Sequence, residues 1–387
     1  MPVYLFAIPV VIFIRLIRPW FLVRFIGIFS ERIGHFAGNT ELYLCECDAG
    51  IDKPATSFAD ICFFTSRVIS NQQLATMWRR TIRIWPSWLV KPIEKINRLL
   101  PGWEIHNRGE NARDLNSLLD KTPPHLNFTR EEEIMGQSQL AKMEIPAGVP
   151  FVCLLVRDDA YLNSSDWNYH NYRDSSIENY ILASEELAAR GYYVIRMGQV
   201  VRAAMNTANP KIIDYAVNGM RSDFMDIYLG AKCEFCITTG AGWDAVPSWL
   251  FRKPTVFTNL VPFGFIPTFS NRFLITTKKH IELTTGHELS VSEIFEKGVA
   301  FCMTSAQYQQ KEIRLAENSP EELRDVAVEM TELINNKWTL ANHEKELQDR
   351  FWKLFLQHIG QKKDVLHGDI KAYFSTSYLL HNQNWMR

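Results

Sequence analysis

The chain has 387 residues, of which 47% are hydrophobic and 22% charged, and its formal net charge is −1. This composition excludes a disordered chain and a protein that binds polyanions with its whole surface. The length favours two domains of ordinary size.

The chain begins with an apolar run, PVYLFAIPVVIFI, at residues 2–14, and Arg15, Arg18 and Arg24 follow it. The run is too short to span a bilayer comfortably, and arginines after the run are not typical of a signal peptide. Residues 1–27 are therefore predicted to lie in the membrane interface without crossing the bilayer, with the arginines on the cytoplasmic face. A buried first strand and helix of the fold is the alternative.

A second basic stretch, residues 77–103, carries six Lys or Arg residues, one Glu and four Trp. Tryptophan interleaved with basic residues is typical of segments that contact lipid headgroups. Single-stranded nucleic acid, or a helix whose basic tips extend from a core, would explain the same composition. The presence of two such stretches in one half of the chain favours a membrane or a lipid-linked substrate.

The rest of the chain reads as two α/β units. Residues 28–145 form the first, which ends with a helix over 129–143, and the segment IPAGVP at 145–150 is the expected hinge. Residues 146–340 form the second. Its strands are predicted at 151–156, 192–197, 235–239 and 253–259, and its helices at 175–191, 223–231 and 243–251. Ser175, with Glu178 three residues later, predicts a capping box, and a helix from Ser319 to about Trp338 and another over 341–359 finish the chain.

Strands that alternate with helices predict a doubly wound parallel sheet, in which ligands bind beyond the carboxyl ends of the strands. The residues expected at that edge are Arg157, Asp158, Gly198, Thr238, Thr239, Gly240, Ala241, Gly242, Thr258 and Asn259, with Arg196 inside its strand. Arginines and glycine amides at a helix start suit a diphosphate. The TTGAG segment matches neither G-x-G-x-x-G nor a Walker loop, so a nicotinamide cofactor or ATP has little support. A tight turn without a ligand is the alternative.

The seven cysteines give no zinc spacing, and Cys233 and Cys236 are expected to be core thiols.

Four blocks of the sequence resemble a family of predicted bacterial glycosyltransferases that are encoded with surface-polysaccharide genes. The blocks are RIGHFAGNTELYL, VRDDAYL, NYRDSSIENYILASEELAARGYYVIRMG and DFMDIYLGAKCEFCITTGAGWDAVPSWLFRKPTVFTN. The resemblance implies the GT-B arrangement, two Rossmann-like domains facing a cleft, with a nucleotide-sugar donor held mainly by the C-terminal domain. It also implies neither a metal nor a cofactor besides that substrate, and a tail at 341–387 whose helices pack back across the domains.

In such an enzyme the first loop of the N-terminal domain faces the donor, and here that loop is expected at RIGHFAGNTELYL. His35 is the candidate general base, with Asp158, Asp159 and Asp174 as competitors. Arg157, Arg173 and Arg196 are the candidate diphosphate ligands, although a strand arginine such as Arg196 can simply pair with a buried acid. The expected acceptor or cleft residues are Arg32, Gly34, Gly38, Asn39 and Thr40.

The leading hypothesis is a glycosyltransferase at the cytoplasmic face of the inner membrane. It would transfer a sugar from a nucleotide-sugar to a surface-glycan or lipid-linked acceptor, and no nucleic-acid partner is expected. A nucleotide-sugar epimerase of similar fold and a non-catalytic, membrane-tethered sugar-nucleotide binding protein are the alternatives.

Overall fold

The computed structural model describes residues 2–109, 111–160, 170–336, 339–360 and 365–386. Its strands are β1 (Phe21–Ile28), β2 (Ser57–Phe64), β3 (Phe151–Leu155), β4 (Tyr193–Arg196), β5 (Ile212–Ile213), β6 (Phe235–Thr238), β7 (Thr255–Leu260), β8 (Phe273–Thr277), β9 (Lys279–Glu282), β10 (Ile313–Ala316) and β11 (Tyr373–Phe374). Its α-helices are α1 (Pro2–Ile17), α2 (Ile33–Asp48), α3 (Gln72–Thr81), α4 (Ser87–Arg98), α5 (Arg130–Lys142), α6 (Ile181–Ala189), α7 (Asp223–Lys232), α8 (Val291–Glu296), α9 (Ser305–Gln310), α10 (Pro320–Asn335), α11 (Asn342–Ile359) and α12 (Thr376–His381).

The second half of the chain forms a parallel sheet of seven strands in the order β11-β8-β7-β6-β3-β4-β5. Its central strands are apolar and fully buried, as is typical of a sheet covered on both faces. β3 and β6 are direct neighbours, so the residues that follow them emerge side by side at one edge. The predicted α/β class with a mostly parallel sheet is confirmed.

The first half differs from the Rossmann-like domain that the resemblance implies. Among its described residues only β1 and β2 form a sheet, a parallel pair. The Trp-rich basic stretch that follows forms α3 and α4, which pack beside this pair instead of adding strands. Trp78 is part of that packing, because it is fully buried and its indole donates a hydrogen bond to the Phe36 carbonyl at 3.0 Å.

The two halves share hydrophobic cores rather than facing each other only across a cleft. Phe36 and Ala37 of α2 belong to one buried cluster with Trp243, Val246 and Leu250 of the second half. In the C-terminal tail, β11 extends the large sheet beside β8, and Asp369 accepts a hydrogen bond from Ser117 of the first half.

The segment RIGHFAGNTELYL is helical from Ile33 onward, so the expectation of a loop was wrong. Its two glycines lie four residues apart and share one face of α2. A Cβ at Gly38 would lie 3.0 Å from the Trp249 ring, and a Cβ at Gly34 would lie 2.9 Å from the Gly242 carbonyl oxygen. The glycines therefore serve close helix packing rather than chain flexibility.

Caps explain most helix boundaries in the second half, with one correction. Ser319 and Glu322 form the predicted capping box of α10, and Ser222 caps α7. The predicted box at Ser175 is not formed, because a 3-10 turn at Ile177–Tyr180 precedes α6. Helix α10 ends at Asn335, and Trp338, its predicted end, lies outside the described residues.

The predicted helix after TTGAG is a 3-10 turn at Gly242–Asp244 followed by a π-helical turn at Val246–Leu250. Pro247 has no N–H to donate within a regular helix, which accounts for the irregular hydrogen bonding.

We predict that Gly34→Ala lowers the free energy of unfolding by about 1–3 kcal/mol, because the new methyl group overpacks a backbone contact. Gly109→Ala is the matched control, since a Cβ at Gly109 would have no neighbour within 4 Å. Urea unfolding of both variants measures the difference. Equal stability of the two variants would contradict the close contact between α2 and Gly242.

Candidate functional site

The N-terminus of α2 meets the turn that follows β6. We name this place the junction site and define it by Arg32, Gly34 and His35 on one side, and by Arg157, Arg173 and Thr238–Gly242 on the other. Arg32 precedes the helix in an extended conformation, and its side chain does not cap it. The first intrahelical backbone bond of the segment runs from Phe36 to the Arg32 carbonyl, so the preceding N–H groups have no helical partner. Such an end attracts anions.

Hydrogen bonds between neighbouring strand ends hold the TTGAG turn in shape. Gly240 has φ +75°, and its N–H donates to the Thr238 hydroxyl at 3.1 Å. The Thr239 hydroxyl accepts a hydrogen bond from the Arg157 N–H at 2.9 Å, which joins this turn to the loop after β3. Only a residue tolerant of left-handed backbone fits at Gly240.

Two arginines bring positive charge to this turn. The Arg157 guanidinium donates to Asp174 at 3.1 Å, and Arg173 donates to the Gly240 carbonyl. Burial lowers the pKa of Arg173, and repulsion from Arg157 adds to the lowering. The Nε of Arg173 is buried and has no hydrogen-bond partner among the described residues. The pair is thus only partly neutralised, and an anionic ligand would stabilise it.

His35 lies in the first turn of α2. Its Nδ1 is 3.3 Å from the amide nitrogen of Asn39, and its ring contacts Phe29 edge-on. Burial lowers the pKa of His35; the hydrogen bond with Asn39 opposes this effect, and Arg32 adds to it. The imidazole is therefore neutral near pH 7, which is the state required of a general base.

The charges that act on His170 indicate that arginines from both halves of the chain lie near one another. Burial lowers the pKa of His170, and Arg173, Arg157 and Arg32 each lower it further by charge repulsion. Because Arg32 precedes α2 while the other two belong to the second half, the junction site gathers cations from both.

Buried carboxyl groups balance part of this charge. Burial raises the pKa of Asp244 to about 7, against hydrogen bonding from Thr238 and attraction to Arg173. Burial also raises the pKa of Asp174, against the attraction of Arg157.

Three predicted site residues make contacts that stabilise the fold and are not part of the junction site. Arg196 is 1% exposed, and its guanidinium donates to Asp214 at 3.1 Å and to the Ala203 carbonyl. The Asp158 carboxylate accepts the N–H groups of Ala160 and Arg202, so it holds two loops together. Gly198 begins the loop after β4, where a Cβ would lie 2.6 Å from Val201.

The remaining predicted residues lie at or near the junction site. Ala241 precedes the Gly242–Asp244 turn, and Asn39 and Thr40 are buried in α2, one turn below His35 and Phe36. Of the competing candidate bases, Asp159 forms an ion pair with Arg202, and Asp174 forms an ion pair with Arg157.

One group of side chains has the composition of a metal site, namely Glu41, Cys45 and His125, whose ligand atoms lie within 4.8 Å of one another. Arg252, however, donates to Glu41 at 2.7 Å and contacts the Cys45 sulfur at 3.5 Å. Hydrogen bonds to Cys45 and Glu41 raise the pKa of His125 to about 10. A protonated histidine and an arginine at the ligand atoms fit an ion-pair network and not a metal ion.

Sequence reasoning missed Asp244, His170 and Lys278. Asp244 lies two residues after Gly242, so its place beside the turn could have been inferred from spacing. His170 lies three residues before Arg173, so it too could have been inferred from spacing, whereas Lys278 comes from a distant loop that only the tertiary structure brings to Asp174.

No protein-family model and no curated protein matches the chain. Two solved structures resemble it. One is the Escherichia coli ADP-heptose LPS heptosyltransferase II, with 12% identity, a TM-score of 0.35, and coverage of 66% of this chain and 90% of that one. The other is a glycosyl transferase of family 9 from Veillonella parvula, with 10% identity, a TM-score of 0.37, and coverage of 61% and 80%. Neither likeness is strong enough to assign an activity to this chain.

Proposed function

We propose that the protein is a metal-independent glycosyltransferase of the GT-B type that transfers a sugar from a nucleotide-sugar to a surface-glycan or lipid-linked acceptor. One observation carries the proposal: an uncapped helix N-terminus and arginines from both halves converge on a glycine turn at the carboxyl edge of a parallel sheet. This is the arrangement expected of a site that binds a diphosphate and stabilises it as a leaving group.

The proposed roles follow from the surroundings of each residue. Arg157, Arg173 and the amides of Ala241 and Gly242 bind the diphosphate of the donor, since the N–H groups of Thr239 and Gly240 already donate to the Leu155 carbonyl and the Thr238 hydroxyl. Arg32 and the first-turn amides of α2 approach it from the other side. His35, neutral and adjacent to that helix end, accepts the proton of the acceptor hydroxyl as the new glycosidic bond forms and the bond from sugar to diphosphate breaks.

A second part of the proposal is that α1 holds the enzyme at the cytoplasmic face of the inner membrane. Ala7, Val11 and Ile14 pack into a core with α4, whereas the opposite face of α1 exposes large apolar side chains, including Leu16 at 67%. The exposed set continues into neighbouring residues and comprises Leu5, Phe6, Ile8, Ile12, Phe13, Leu16, Trp20, Trp88, Leu99 and Leu100. None of the helices in the described part of the chain is long and apolar enough to cross a membrane.

A patch of this size and composition supports a helix that lies in the lipid interface. Arg15 does not face the lipid, because it donates to Asn97 and to the Pro101 carbonyl and so fixes α1 against the end of α4.

Arg157→Ala should weaken binding of a nucleoside diphosphate at least about tenfold, because hydrogen bonds to charged groups contribute about 1.5–3 kcal/mol each. Arg190→Ala, which removes an exposed arginine paired with Glu186 at the end of α6, should leave affinity unchanged. Isothermal titration calorimetry measures both. An unchanged dissociation constant for Arg157→Ala would mean that the diphosphate does not bind at this turn.

His35→Ala should lower kcat by about 10²–10⁴, the usual contribution of a general base, with little change in melting temperature or donor affinity. His35→Asn should not restore turnover, because an amide does not accept the proton. Since the pKa of His35 is lowered, the wild-type rate should fall only when the pH drops below the ordinary histidine value of about 6.5. Normal turnover of the alanine variant would mean that His35 is not the general base, and Asp174 would become the candidate.

Replacing Phe6, Phe13 and Leu16 together by Ser should weaken binding to anionic liposomes at least about tenfold, because each loses apolar area that lipid would cover. The control replaces Val217 and Leu283, which are equally exposed elsewhere. Deletion of the whole segment is unsuitable, since β1 begins at Phe21. Co-sedimentation of the triple variant at the wild-type level would rule out this membrane contact.

A further inference from the structure

A pocket of about 510 Å³ opens beside the junction site, on the β8 side of the sheet edge. Asp174 links the two places, because its carboxylate accepts from Arg157 of the junction site while the residue also lines the pocket. Lys278, which follows β8 and is 4% exposed, donates to the Asp174 carbonyl and lines the pocket as well. The pocket therefore adjoins the junction site at the Arg157–Asp174 ion pair.

The side chains of the pocket differ in character from those of the junction site. Two carboxylates, Asp174 and Glu317, stand against two cations, Lys278 and Arg314, so there is no surplus of positive charge. The other polar lining residues are carboxamides and hydroxyls, namely Asn171, Tyr172, Asn179, Ser305, Tyr308 and Gln309. A dense set of donors and acceptors without net charge suits the hydroxyl groups of a neutral ring better than a second phosphate.

Parts of the pocket are held in place before any ligand arrives. The Glu317 carboxylate accepts the Ser176 N–H at 3.0 Å and the Asn179 amide at 3.0 Å, which fixes its orientation. Tyr308 is 3% exposed, and its hydroxyl has no hydrogen-bond partner among the described residues. A buried hydroxyl without a partner is unfavourable, so a ligand hydroxyl that reaches it would gain a hydrogen bond at little cost in ordering.

We propose that this pocket binds a sugar ring of the donor through its hydroxyl groups, next to the diphosphate at the junction site. The proposal rests on the proposed function and specifies how the donor lies in its site. The ring is either the ribose of the nucleotide or the sugar that is transferred, because both present vicinal hydroxyls to the same amides and carboxylates.

The test uses Tyr308→Phe and Gln309→Ala in the full chain, with Gln310→Ala as the control because Gln310 follows on the same helix but does not line the pocket. The probes are UDP, GDP and ADP, each alone and linked to a hexose, and calorimetry gives the dissociation constants. Each pocket variant should bind its ligand about three- to tenfold more weakly, the effect of one lost hydrogen bond. Tyr308→Phe should keep or raise the melting temperature, because the hydroxyl it removes has no protein partner.

Weaker binding of both the free diphosphate and its hexose conjugate places the ribose in the pocket, and weaker binding of the conjugate alone places the transferred sugar there; either result supports the proposal. If Arg157→Ala abolishes nucleotide binding while both pocket variants bind every probe within twofold of the wild type, the pocket proposal is wrong and the junction site stands. If the wild type binds none of the probes, the proposed function fails and this inference with it.

Discussion

The contact between the glycine face of α2 and the turn after β6 is the constraint on which the candidate site depends. Because Gly34 has no side chain, its backbone reaches the Gly242 backbone, and the first-turn amides of α2, which have no partner within the helix, lie beside the TTGAG turn. Gly38 continues the same face against Trp249, and Arg252 adds a buried ion pair with Glu41 from the same helix. The position of His35 relative to the arginines is thus set by packing, and a first half that moved away would separate them.

This packing leaves an electrostatic imbalance that a ligand would relieve. Arg32, Arg157 and Arg173 all repel the charged form of His170, and Arg173 is itself destabilised as a cation by burial. Asp174 and Asp244 offset this only in part, since burial raises the pKa of both carboxyl groups. An anionic ligand would stabilise the buried charge of Arg173. The pocket beyond Asp174 holds two carboxylates and two cations, so it has no surplus of positive charge.

Much of the sheet could be predicted because its signals are local. Short apolar runs, Ser222 and Ser319 as caps, and glycines at helix ends identified β3, β4, β6 and β7 together with α6, α7 and α10, whereas the helix expected after TTGAG is a 3-10 turn followed by a π-helical turn. The features that the sequence predicts wrongly depend on contacts with residues far away in the chain. The glycines of RIGHFAGNTELYL favour a loop in the sequence, because the sequence does not reveal that Gly242 and Trp249 pack against them. Arg196 is a candidate ligand in the sequence, because the sequence does not reveal its ion pair with Asp214. Tyr308 and Lys278 carry no sequence signal, because they reach the neighbourhood of Asp174 only in the folded chain.

The central claim is that a diphosphate binds at the edge of the Gly34–Gly242 contact, against Arg157, Arg173 and the first-turn amides of α2. A crystal structure of the protein soaked with a nucleoside diphosphate tests it most directly. The account predicts phosphate oxygens within hydrogen-bond distance of Arg157 and of the Ala241 and Gly242 amides, with the end of α2 facing them. Density for the diphosphate at another surface, with the junction site empty at saturating ligand, would contradict the account.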